Sequence, residues 1–189
     1  MNGFEQRKEI KKSQIRHAAL KLLTELEKVS ITDIAHMAEV SQVSIYNYFG
    51  SKEALLIDIM KDYMEKAITE YEIFLTKNVP FPEIIKAIMI KENEILGLMN
   101  ACLKQNIEDN AFTEMVEEFQ KQRLIPFFSK LMELGRELGY MEPDIKISDL
   151  LFYFSMYQKE MLHLSKGRVS ISEERLVHLF FYGLIGRPK

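Results

Sequence analysis

Between Ser41 and Lys52 the chain reads SQVSIYNYFGSK, and Gln42, Ser44, Tyr46, Asn47 and Tyr48 crowd hydrogen-bonding side chains into barely two helical turns. Amides and hydroxyls both donate and accept, and none of them is charged at neutral pH. The chemistry they offer is the matching of donors to acceptors on another surface. It is not bond making, for which a nucleophile needs a partner base. The rest of the chain supplies no such pair. His17, His36, His163 and His178 show neither HxH nor HExxH spacing, and Cys102 has no evident His partner. No catalytic group, metal site or cofactor is expected, and an enzyme has no supporting residues.

A helix as short as 42–48 is marginal alone, so neighbouring elements must hold it. Residues 6–26 have an amphipathic pattern, with Ile10, Ile15, Ala19, Leu22, Leu23 and Leu26 near one face. Ser30 with Asp33 three residues on forms a capping-box pattern before a short helix over 31–38. Glu39-Val40 is the break, and Ser41 caps the helix that follows. Gly50 suits the left-handed conformation that ends helices, and Ser51 caps a long helix over 52–76. The arrangement predicts a helix-turn-helix, whose second helix enters the major groove of duplex DNA. There Gln42, Ser44 and Asn47 would reach base edges. Thr32, Ser41, Tyr46, Tyr48 and Lys52 are the further candidate contacts, Lys52 to phosphate at a helix N-terminus. Ile45 and Phe49 would anchor the helix to the core.

The 189 residues carry a net charge of −3, but residues 1–52 hold eight Lys/Arg against six Asp/Glu, leaving −5 on the remainder. The sign fits a basic module on an acidic body. Hydrophobic residues are 47% of the chain, with only 8 Gly and 5 Pro, so an all-α fold with a substantial core is expected. No apolar run is long enough to span a membrane. The charged N-terminus MNGFEQRKEIKK lacks a secretory signal pattern, and a lone Cys102 fits a reducing cytoplasm.

The stretch ITDIAHMAEVSQVSIYNYFGSKEALL resembles the DNA-binding signature of the TetR family of bacterial transcriptional regulators. The matching positions are Ile34-Ala35, Ala38, Val40-Ser41, Ser44, Tyr46, Tyr48-Phe49, Ser51-Lys52-Glu53 and Leu55. LVHLFFYGLIGR near the C-terminus is similar to that family's last helix. Three departures stand out. Glu39 and Val43 occupy positions where the family often has Gly, and the EKVSI loop is shorter than usual and lacks Gly. Val43 would offer an apolar side chain near the groove, toward a thymine methyl.

The resemblance implies a DNA-binding head at 1–50 and a helical body at 51–189 that binds a small molecule and dimerises. It further implies a cytoplasmic repressor of a nearby gene or operon, released from a palindromic double-stranded operator by ligand. Beyond the head, helices are expected over 82–105, 108–138 with a break or kink near Pro126, 146–165 and 173–185. The last two are the expected homodimer face, with Gly183 allowing close approach. The chain has 11 Met and 12 Phe, many between 60 and 160. Long flexible Met side chains suit an adaptable pocket for an apolar ligand. The candidate lining residues are Met64, Met89, Met99, Phe119, Arg123, Phe127, Met132, Phe152, Met156 and Tyr157. The alternative is a helical small-molecule-binding protein that does not bind DNA, which Glu39 and Val43 would support.

Overall fold

The computed structural model describes residues 3–77, 79–105 and 109–165, with Arg175, His178 and Leu179. Every element among the described residues is helical. In chain order they are α1 (Gly3–Glu25), α2 (Ile31–Met37), α3 (Gln42–Phe49), α4 (Lys52–Thr76), α5 (Phe81–Leu103), α6 (Asp109–Phe119), a π turn (Gln120–Leu124), α7 (Ile125–Glu137) and α8 (Ile147–Ser165). The helix expected over 173–185, with Gly183, lies outside the described residues. The chain divides into two compact units. One joins residues up to Glu65 with Leu98–Phe119, and the other joins Lys66–Gly97 with the chain from Gln120 onward.

In the first unit, Ile15 and Ala19 of α1, Ile34 of α2, Ile45 of α3 and Leu55, Leu56 and Ile59 of α4 are buried together as its core. The caps fall where side-chain chemistry requires them. Ser30 caps α2 through its hydroxyl, which accepts from the Asp33 N–H at 3.1 Å, while the Asp33 carboxylate accepts from the Ser30 N–H at 3.0 Å. Ser41 caps α3 by accepting from the Ser44 N–H at 3.1 Å, and Ser51 caps α4 through the Ala54 N–H at 3.0 Å. Gly50 ends α3 with φ +84° and ψ −52°. That φ is positive, as expected, but ψ has the opposite sign to a left-handed helix, so the chain turns by a conformation more restricted to Gly.

In the second unit the core is aromatic. Tyr71 of α4 meets Phe127 at 5.4 Å between ring centroids, Phe127 meets Phe128 at 5.4 Å, and Phe128 meets Phe154 of α8 at 5.1 Å. The break foreseen near Pro126 takes the form of a π turn just ahead of it. A π turn shifts the hydrogen-bond ladder by one residue and so passes over a position that has no N–H. Helix α7 ends in a Schellman motif: Tyr140 N–H donates to Gly135 O at 2.8 Å and Gly139 N–H to Arg136 O at 3.0 Å, with Gly139 at φ +73°.

Candidate nucleic-acid interface

Helix α3 buries Ile45 and half-buries Phe49, which leaves its other face to solvent. On that face Gln42, Val43, Tyr46 and Asn47 follow at helical spacing, Val43 being 66% and Tyr46 48% exposed. Thr32, in the first turn of α2, joins them. The Gln42 amide donates to the Thr32 hydroxyl at 3.1 Å, which ties the two helices on the exposed side. An exposed row of amide, hydroxyl and one aliphatic side chain can read donors, acceptors and a methyl group.

The remaining candidates divide differently. Ser41 and Ser44 are engaged with each other, their hydroxyls 2.9 Å apart, while Ser41 caps the helix. Tyr48 is half-buried. The Lys52 ammonium, expected to meet phosphate, donates to the Gln105 side-chain carbonyl at 3.2 Å. Lys12 stands over the Phe49 ring, 5.4 Å from its centroid, and Arg16 is paired with Asp58 at 2.5 Å. The hydrogen bond to Asp58 raises the Arg16 pKa. These pairs lock α1 to the end of α3 and to α4. Sequence spacing gave no sign of them, because each joins residues tens of positions apart.

The turn between α2 and α3 answers one departure. Glu39 has φ +52°, the left-handed conformation that Gly adopts freely and other residues adopt at a cost of about 1–2 kcal/mol. The turn is therefore formed without Gly. Electrostatics favour the helix starts. The Ser30 hydroxyl, and then its backbone N–H, hold the Asp33 carboxyl below the usual range. The backbone N–H of Glu53, and then the Ser51 hydroxyl, do the same for Glu53.

The ten candidate ligand residues are divided between the units, Met64, Met99 and Phe119 in the first and the others in the second. Met64, Met89, Phe119, Phe127 and Met132 are buried, and Met99 is half-buried. Arg123 pairs with Glu72 at 3.6 Å. Phe152 is 66% and Met156 42% exposed on α8, and the Tyr157 ring meets Tyr153 at 5.2 Å. A cleft of about 360 Å³ lies elsewhere in the second unit, lined by Phe81, Ile85, Tyr140, Met141, Ile145, Asp149, Leu150 and Tyr153. It is formed by α5, the α7–α8 connection and α8, so none of the ten lines it. Its shape rests on Gly135, where an added Cβ would meet Phe81 Cζ at 2.9 Å and Met141 Cγ at 3.1 Å. Among the described residues no group of three His, Cys, Asp or Glu is placed to hold a metal, and no helix is long and apolar enough to cross a membrane.

Residues 15–59 match the model of the bacterial regulatory proteins of the tetR family. No curated protein sequence matches the chain significantly. Among solved structures, the fatty acid degradation regulator FadR from Bacillus halodurans is similar, with TM-score 0.70 and 18% identity over 94% of this chain and 97% of that one. FadR from Bacillus subtilis, solved with stearoyl-CoA, also has TM-score 0.70 and 18% identity, over 91% and 98%. FadR from Thermus thermophilus, a TetR-family repressor solved with lauroyl-CoA, has TM-score 0.58 and 18% identity, over 94% and 97%. At that identity the likeness concerns the fold. The span that matches the tetR-family model runs from the buried Ile15 of α1 through the whole helix-turn-helix to Ile59 of α4, and the chain around it shares the all-helical fold of the FadR regulators.

Proposed function

We propose that this chain is a DNA-binding transcriptional repressor of a nearby gene or operon, released from a palindromic operator by a lipophilic small molecule. The observation that carries the reading is the exposed row Gln42, Val43, Tyr46 and Asn47 on α3, bonded through Gln42 to Thr32. These side chains are spent neither on the core nor on capping. In the complex they face base edges, with Tyr48, Ser41 and Ser44 beside them and Lys52 toward phosphate. Residues 1–50 act as the reader and 51–189 as the sensor and dimerisation body. The exposed Phe152 and Met156 of α8 belong to the dimer face. Such a protein works in the cytoplasm, without enzymatic turnover.

The ligand enters the cleft of Phe81, Tyr140 and Tyr153, whose lining is mostly apolar and aromatic. Two similar regulators were solved with stearoyl-CoA and lauroyl-CoA, which supports an acyl chain as the class to try first. Ligand and DNA favour different states of the dimer, and their coupling is reciprocal, typically about 1–3 kcal/mol. Glu39 at φ +52° takes the conformation the turn needs, so of the two departures that favour a carrier without DNA binding only Val43 stands.

The test is binding of the full chain to duplex DNA over a salt series, with and without acyl-CoA. Affinity that falls steeply with salt, with a log–log slope near −0.9 per neutralised phosphate, is expected. Loss of operator affinity on adding ligand is expected as well. Binding that ignores salt and ligand alike contradicts the proposal.

A further inference from the structure

Among the described residues, Gln105 is the polar or charged residue that is buried, at 8% exposure. It lies two positions beyond the end of α5, and its backbone N–H donates to Cys102 O at 2.9 Å. Its amide is fully used. The side-chain oxygen accepts from Val29 N–H at 3.0 Å and from the Lys52 ammonium at 3.2 Å. The side-chain nitrogen donates to Glu27 O at 2.8 Å and, more weakly, to Ala101 O at 3.4 Å. Two donors face the oxygen and two carbonyls face the nitrogen, so the reversed amide would set donor against donor. The partners themselves therefore fix its orientation.

Those partners sit at informative places. Val29 precedes Ser30, the cap of α2, and Lys52 is the first residue of α4. One buried amide thus ties the loop before α2 to the first residue of α4, whose N-terminus begins there. Helix N-termini are where backbone N–H groups meet phosphates. An ammonium has three N–H bonds, so one given to Gln105 fixes Lys52 while leaving it able to donate to a phosphate. A free Lys side chain would instead lose rotamer freedom on binding, at a cost to affinity.

We propose that Gln105 is a positioning residue for DNA binding: without touching DNA, it presents Lys52, at the start of α4, to the phosphate backbone. The inference rests on the head binding duplex DNA, as argued above.

The experiment measures duplex affinity for the wild type, Gln105→Met, Lys52→Met and the double variant, with amide hydrogen exchange at Val29. Gln105→Met keeps the volume and removes every side-chain hydrogen bond. It should weaken binding by about tenfold and lower the salt slope. The Val29 N–H should lose its protection. In the double variant the combined loss should be at least about threefold smaller than the product of the single losses, because Gln105 acts in part through Lys52. Gln105→Asn keeps an uncharged amide but draws it back by one methylene from Val29 and Lys52; it serves if the Met variant fails to fold, and it should show the same losses of binding and of Val29 protection to a smaller degree. Strictly multiplicative losses would overturn the proposal, as would a Gln105→Met chain that binds like the wild type. Absence of duplex binding by the wild type would instead sink the head's function, and this inference with it.

Discussion

In the proposed function, single residues carry the reading of bases, and their surroundings assign them distinct tasks. Asn47 and Gln42 stand on the exposed face of α3, whereas Lys52 is half-buried at the start of α4. Asn47→Ala is therefore expected to cost about 1–3 kcal/mol at matched operators and little elsewhere. Lys52→Ala is expected to weaken all duplexes alike. Binding to a panel of operator variants checks both, and a uniform loss for Asn47→Ala would remove its base-reading role. Glu39 at φ +52° is strained where Gly would not be. Glu39→Gly should stabilise the fold by about 0.5–1 kcal/mol, the backbone relief exceeding the added chain entropy. Urea unfolding measures it. Asp33 gives a pH signature. Its carboxyl is held below its ordinary value of 3.8 by Ser30, so its stabilising contribution is complete above that value and fades as pH falls through the lowered one. Asp33→Ala should thus be less stable than the wild type at neutral pH, with the two converging in strong acid. At the opposite extreme, burial pushes the Cys102 thiol up to about 12. The native chain should resist thiol-modifying reagents at neutral pH and react once unfolded.

At the scale of elements, the local signals read true because caps are local chemistry. Ser30, Ser41 and Ser51 each bond an N–H within three residues, so their helices start where the spacing predicts. Ser41→Ala should cost about 1 kcal/mol and weaken DNA binding further, since α3 has only two turns to lose. Thermal unfolding beside operator binding separates the two effects. Gln105 was illegible for the converse reason. Its closest-bonded partners Val29, Lys52 and Glu27 lie 53 to 78 positions away, and no periodicity marks a polar residue beyond a helix end. The Met and Phe residues misdirect in another way. Composition says that apolar volume exists but not whether it is filled, and Met64, Met89, Phe127 and Met132 fill core. The cleft arises instead where the Schellman turn of α7 carries Tyr140 back over Phe81, with 5.1 Å between ring centroids. Gly135 makes that close approach possible. Gly135→Ala is expected to destabilise by about 1–3 kcal/mol through overpacking against Phe81 and Met141 and to abolish ligand binding at the cleft. Calorimetry on that variant is the check.

For the whole molecule, the chain forms two compact units from interleaved stretches, and the proposed function gives DNA reading to residues 1–50, within the first unit. Phe152 and Met156 stay exposed in the single chain, a cost that a second copy would remove. Phe152→Glu should raise the dimer dissociation constant by burying an unpaired charge, as sedimentation would register. Saturating ligand should add about 2–3 kcal/mol of stability at a hundredfold excess over its dissociation constant. The central claim is that two copies of α3 read a two-fold symmetric site. Selection of duplexes from a randomised pool by the full chain, at moderate salt, tests it most directly. The account predicts enrichment of a palindrome whose half-sites lie about one helical turn apart, or a multiple of it. The same selection with Asn47→Ala should relax the preference at the base pairs it reads. A pool that emerges unenriched, or enriched in a site without two-fold symmetry, would contradict it.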